Sequence, residues 1–100
     1  MLWAIYCIDK ANTAATRDEY LKVHRSFLDT KERDIMFSGP LQSDDAAVNV
    51  GSLFILNVAT RNEAQAFIDA EPFNNAGVFK TVSIHRMRKG RFNPQLADRP

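Results

Sequence analysis

What is scarce in this chain excludes whole classes of protein before any motif is read. There is one cysteine, Cys7, so no internal disulfide can form and a disulfide-stapled secreted scaffold is excluded. Cys7 lies inside an apolar run, the setting of a small buried hydrophobe rather than of a reactive thiol. Four glycines and four prolines in 100 residues leave no linker and no low-complexity stretch. The apolar N-terminal run Leu2 to Ile8 lacks a basic leader and meets Asp9-Lys10 after too few residues for a signal peptide or a membrane span. Neither charge sign prevails: 13 basic and 12 acidic residues leave a net charge of +1. No global field therefore draws the chain to nucleic acid or to an anionic membrane, and a charged ligand must be held by local groups. The phosphate-loop, dinucleotide, hydrolase-elbow and C-x-x-C patterns are all absent. These absences point to a cytoplasmic protein without a cofactor.

What is present is the composition of one ordinary folded domain, 45% hydrophobic and 25% charged. Leu2 to Ile8 reads as a strand apolar on both alternating faces, hence covered on both sides. A helix follows, capped at Asn12 or Thr13, with a second capping-box spacing at Thr16 and Glu19, and runs to about Glu32. At 100° per residue Tyr20, Leu21, Val23, His24, Phe27 and Leu28 fan across one side, with Lys22, Arg25, Ser26 and Asp29 on the other. Asp34 to Leu41 is a short strand interrupted by Gly39-Pro40, the mark of a sheet edge or of a strand whose end is bent. A polar connection, Gln42 to Gly51, leads to the clearest strand, Ser52 to Ala59, nearly continuous in apolar residues and therefore central. Thr60 and Glu63 form a capping box opening a second helix that Pro72 stops. Gly77 closes an irregular turn, and the last strand runs from Val78 to about Met87, with Val78, Val82 and Ile84 on one side and Phe79, Thr81, Ser83 and His85 on the other.

The order strand, helix, strand, strand, helix, strand is the split βαβ plan. It predicts an α+β, ferredoxin-like βαββαβ domain over residues 1–92: a four-stranded antiparallel sheet with two helices on one face, followed by a tail over 93–100. The face without helices carries Trp3, Ile5 and Cys7 or their alternates, too apolar for water. A homodimer packing two such sheets together is the economical cover, and a charge at Ile5 is predicted to break it.

His24 is the residue that turns this scaffold toward function. An imidazole on the apolar side of a helix is either a core histidine tied to a carbonyl or the wall of a cavity. A cavity histidine is predicted to be removable at a stability cost of about 1 kcal/mol or less. The side-by-side helices bring Asp69-Ala70-Glu71-Pro72-Phe73 toward it, and a carboxylate there would fix its tautomer for acid-base work. His24, His85 and Cys7 match no ligand spacing, so no metal is expected. Arg86 to Arg91 reads as a solvated basic end.

Met1 to Lys10, His24, Ser38-Gly39-Pro40-Leu41, Gly51-Ser52-Leu53-Phe54-Ile55, and Glu71-Pro72-Phe73 before Ala76-Gly77-Val78-Phe79 together resemble the YCII-related family over nearly the whole chain. The resemblance implies a dimeric ferredoxin-like α+β barrel, similar in shape to muconolactone isomerases, in a family that includes a chlorinated-hydroquinone dehydrochlorinase. It places the family's catalytic histidine on His24 and its aspartate on Glu71, one methylene longer, with Asp69 in reserve. Ser52 or the backbone around Gly39 is then expected to bind a substrate oxygen, beside Pro40, Phe73 and Phe79. The expected activity is lyase, isomerase or dehydrochlorinase chemistry on a small cyclic or aromatic molecule, against a non-catalytic ligand-binding or regulatory dimer or a purely structural one.

Overall fold

Strand β1 (Leu2–Asp9) holds the centre of the sheet, because its continuous apolar run can be buried where a half-polar strand cannot. Around it the computed structural model, which describes residues 1–97, places α1 (Ala14–Thr30), β2 (Ile35–Gln42), β3 (Asn49–Asn57), α2 (Arg61–Ala70), α3 (Pro72–Asn75) and β4 (Phe79–Met87). The strand order is β2-β3-β1-β4 with every pair antiparallel. This is the ferredoxin-like α+β fold, and the Gly39-Pro40 strand is at its edge. A 3₁₀ turn at Pro94–Leu96 follows β4; of the expected tail, 98–100 lie outside the described residues.

Cross-strand pairing sorts the side chains. Trp3 pairs with Leu56, Ile5 with Phe54 and Cys7 with Ser52, and these face the helices in a core shared with Phe67, Ile68, Phe73 and Val78. The assignment of Ile5 to the uncovered face is thereby corrected: Ile5 is fully buried beneath the helices. The alternates Leu2, Ala4, Tyr6 and Ile8 face away, opposite Asn57, Ile55, Leu53 and Gly51. A register shift between Ile8 and Asp9 gives β4 one extra residue. That irregularity puts Phe79 in the core rather than beside Thr81, Ser83 and His85, where strict alternation places it.

The helix ends follow local chemistry. In α2 the Thr60 hydroxyl accepts from the Glu63 backbone N–H at 3.2 Å, and the Glu63 carboxylate accepts from the Thr60 N–H at 2.9 Å. At α1 neither expected cap forms. Thr13 occupies the cap position, but its hydroxyl donates to the Lys10 carbonyl at 3.0 Å. Gly77, at φ +80, takes the left-handed conformation that ends α3.

The buried stripe of α1 is also rotated from the apolar fan. Val23 is 55% exposed, while Arg17 is only 6% exposed. Leu21, Phe27 and Leu28 pack on the core. The helix therefore turns Arg17, Leu21, His24 and Leu28 inward, at spacings of four, three and four residues. Hydrophobicity alone could not find this face, because a charged residue begins it.

Candidate functional site

A cleft of about 340 Å³ lies between α1 and the helix side of β2 and β3. Arg17, Leu21, His24, Arg25 and Leu28 line it from α1; Ser38, Gly39 and Pro40 from β2; Asn49, Ser52 and Phe54 from β3; and Phe73 from α3. The edge strand makes the space possible, since its helix side presents the short Ser38 and the compact Pro40, opposite Phe54 and Ser52.

His24 and Glu71 meet here. Nδ1 of His24 lies 2.5 Å from Oε1 of Glu71, with 13% of the imidazole side chain exposed and none of the carboxylate. The local fold holds Glu71 from its other side. Glu71 is the N-cap of α3, with Pro72 following as first helical residue, and its Oε2 accepts from the Asn74 N–H at 3.1 Å. Asn74 in turn donates its side-chain amide to the Ile68 carbonyl at 2.9 Å. One carboxylate thus caps a short helix and holds an imidazole.

The ring is held face-on as well. Phe73 stacks on it with centroids 4.0 Å apart and planes 14° from parallel, and Phe54 meets it edge-on at 6.5 Å. Nε2 has no partner among the described residues, and no buried side-chain nitrogen or oxygen there lacks one. Nε2 is therefore open to the cleft. With Nδ1–H donating to the carboxylate, a neutral ring presents a lone pair at Nε2.

The second polar centre, apart from Ser52, escaped the sequence reading. Arg17 donates from Nε to Asp9 Oδ2 at 2.7 Å, and from Nη2 to Asp9 Oδ1 at 2.9 Å, the Gly51 carbonyl at 2.8 Å and Ser52 Oγ at 3.0 Å. Its guanidinium carbon also lies 4.9 Å from the Phe73 ring centroid. The available signal was an Arg at i, i+4, i+7 spacing with Leu21 and His24, after a strand ending in Asp9. Gly51 is required beside this cluster, because an added Cβ would come within 2.2 Å of the Cys7 carbonyl oxygen.

The structure gathers His24, Glu71, Gly39, Pro40, Ser52 and Phe73 at one place. Asp69 is not among them: it is exposed and accepts from Gln65 at 2.9 Å, one turn back on the solvent side of α2. Phe79 is in the core, 6.0 Å from the Arg17 guanidinium, and does not line the cleft. His85 pairs with Ala4 on the face away from the helices, so His24, His85 and Cys7 do not converge. Burial and the nearby carboxylates of Glu71 and Asp9 push the Cys7 thiol up to about 12. No described helix is long and apolar enough to cross a membrane.

A ferredoxin-like α+β domain with an imidazole–carboxylate contact at a small cleft defines the class. The chain belongs to the YCII-related domain family, whose model matches residues 1–88. Protein YciI of Escherichia coli O6:H1 is 32% identical over 96 residues, covering 89% of this chain and 98% of the relative, and Protein YciI of Shigella flexneri matches to the same extent. Among solved structures, the 5-chloro-2-hydroxyhydroquinone dehydrochlorinase of Burkholderia phenoliruptrix, in complex with 2,5-dihydroxybenzoquinone, superposes with a TM-score of 0.83. It is 26% identical, over 90% of this chain and 96% of that one. A protein of Agrobacterium tumefaciens, 17% identical over 94% of this chain and 98% of its own, shares the fold at a TM-score of 0.52.

Proposed function

We propose that this chain is a small enzyme of the lyase, isomerase or dehydrochlorinase kind, acting without a cofactor on a small cyclic or aromatic molecule. His24 moves the proton, and Glu71 orients the ring and stabilises the imidazolium that forms. The observation that carries this reading is the direction of His24: Nδ1 is held by a fully buried carboxylate while Nε2 opens on the cleft. Proton transfer by a positioned imidazole is worth about 10²- to 10⁴-fold in rate. Glu71, one methylene longer than the aspartate the family resemblance places there, reaches Nδ1 of His24 with one oxygen and caps α3 with the other. The named activity of the Burkholderia structure supports the reaction class.

The proposal includes a cytoplasmic homodimer. On the open sheet face Tyr6, Phe37 and Met87 are exposed around Leu53 and Ile55, an apolar area suited to a self-complementary two-fold contact.

The test is chloride release from 5-chloro-2-hydroxyhydroquinone under anaerobic conditions. Wild type should release chloride, and His24→Ala should lower the rate by about 100-fold or more. A ligand-dependent rise in Tm without turnover would make the chain a binding module instead. Chloride release unaffected by His24→Ala would remove His24 from the mechanism.

A further inference from the structure

We infer that Arg17 and Ser52 form a paired-donor cradle for one oxygen of the ligand, which seats a planar oxyanion such as a phenolate or enolate in the cleft beside His24. The inference deepens the proposed function and rests on the cleft being a ligand site. Four contacts use Nε and Nη2 of Arg17, and its Nη1 has no partner among the described residues. Because no buried side-chain nitrogen there is unpartnered, Nη1 is accessible, and Arg17 lines the cleft. The side chain is nine-tenths buried and is clamped by Asp9, Gly51 and Ser52. The accessible N–H is therefore held in place and loses little freedom when it binds.

Ser52 supplies the second donor. Its Oγ accepts from Arg17 at 3.0 Å, while its own hydrogen has no acceptor among the described residues, in a side chain only 4% exposed that lines the cleft. Accepting from a guanidinium polarises the hydroxyl and strengthens what it donates. Asp9 supports the arrangement from behind as a positioning residue, holding the guanidinium by two hydrogen bonds. Since Arg17 and His24 both stand against Phe73, at 4.9 and 4.0 Å between centres, a small ring can reach both groups.

The cradle then has a defined part in the reaction. As Nε2 of His24 takes a proton from carbon or oxygen of the ligand, the bond to that proton breaks. Its electron pair moves onto the oxygen held by Arg17 and Ser52, giving enolate or phenolate and imidazolium. Donors aimed at the oxygen where charge accumulates favour that state over the neutral one.

Binding of 4-nitrophenol and of nitrobenzene, measured at a pH where the phenol is partly ionised, tests the cradle. Absorbance reports whether the bound phenol is the anion. Wild type should bind 4-nitrophenol as the phenolate, and Ser52→Ala should weaken it roughly tenfold, the loss of one hydrogen bond to a charged group. Nitrobenzene, which has no such oxygen, should bind both proteins equally. Arg17→Lys, which keeps a charge for Asp9, should weaken the phenolate at least as much. Equal phenolate affinity in wild type, Ser52→Ala and folded Arg17→Lys would overturn the cradle while leaving the cleft a ligand site. Failure of both probes to bind wild type would overturn the cradle and the cleft reading together.

Discussion

Glu71 is fully buried and engaged by two partners, His24 at Oε1 and the Asn74 N–H at Oε2, so the cost of losing His24 depends on what becomes of the carboxylate. Sequence alone, seeing a cavity histidine, predicts about 1 kcal/mol or less. A carboxylate oxygen left buried without a partner raises the expected loss for His24→Ala to about 1–3 kcal/mol. Chemical denaturation of His24→Ala, Glu71→Ala and the double variant should show non-additivity of about 0.5–3 kcal/mol, as expected for residues in contact; additive losses would mean the contact contributes nothing. Cys7 makes a pH prediction. Its thiol titrates at about 12 in the folded chain against 9.0 for an unhindered thiol, so the folded state keeps a proton that the unfolded state gives up. Stability from this group is complete below about 9 and is lost as pH rises toward about 12. Urea midpoints measured from pH 8 upward should fall more steeply in wild type than in Cys7→Ala, and thiol reagents should modify the folded protein slowly.

At the scale of elements, both helices were legible, but the second kept its expected cap while the first hid its buried face. Thr60 and Glu63 form the capping box their spacing announces, because both partners lie within one turn and need no distant group. Thr60→Ala should therefore cost about 1 kcal/mol, read as a lowered Tm with the cleft intact. In α1, Arg17 is buried by partners at Asp9, Gly51 and Ser52, two of them more than thirty residues away, and no helical periodicity contains that information. Gly51 joins the two levels. A methyl there meets the Cys7 carbonyl at 2.2 Å, so Gly51→Ala should force β1 and β3 apart at roughly 1–3 kcal/mol. It should also move the carbonyl that Arg17 holds. Weakened amide protection confined to β1 and β3 in hydrogen exchange would locate the damage, and unchanged protection would refute it.

The whole molecule presents two faces of opposite fate. Ile5 faces the helix-side core, so Ile5→Lys should prevent folding by burying an unpaired charge. Phe37, 55% exposed on the other face, should tolerate lysine. If the open face is the dimer contact, wild type should sediment as a dimer at micromolar concentration and Phe37→Lys as a folded monomer; a monomeric wild type would refute the contact. The strand parity that separates these outcomes is written in the sequence, but which parity meets the helices is decided only when the connections close over one side of the sheet.

By itself the sequence determined the element order, the break at Gly39-Pro40, the central β3 and the placing of His24 on a helix, because these rest on local periodicity, turn chemistry and spacing; Glu71 was singled out only by the family resemblance. Tertiary structure brings Glu71, the carboxylate the family resemblance favoured, and not the reserve Asp69, to the imidazole. The short helix begun at Pro72 turns Glu71 inward as its cap, whereas Asp69 remains on the solvent side of α2. It also decided that Phe79 joins the core through a register shift, and that Arg17, which helical periodicity assigned to neither face, lies under the cleft beside Ser52. A buried charge is stable only among partners that the folded chain assembles, and those partners come from strands far apart in the sequence.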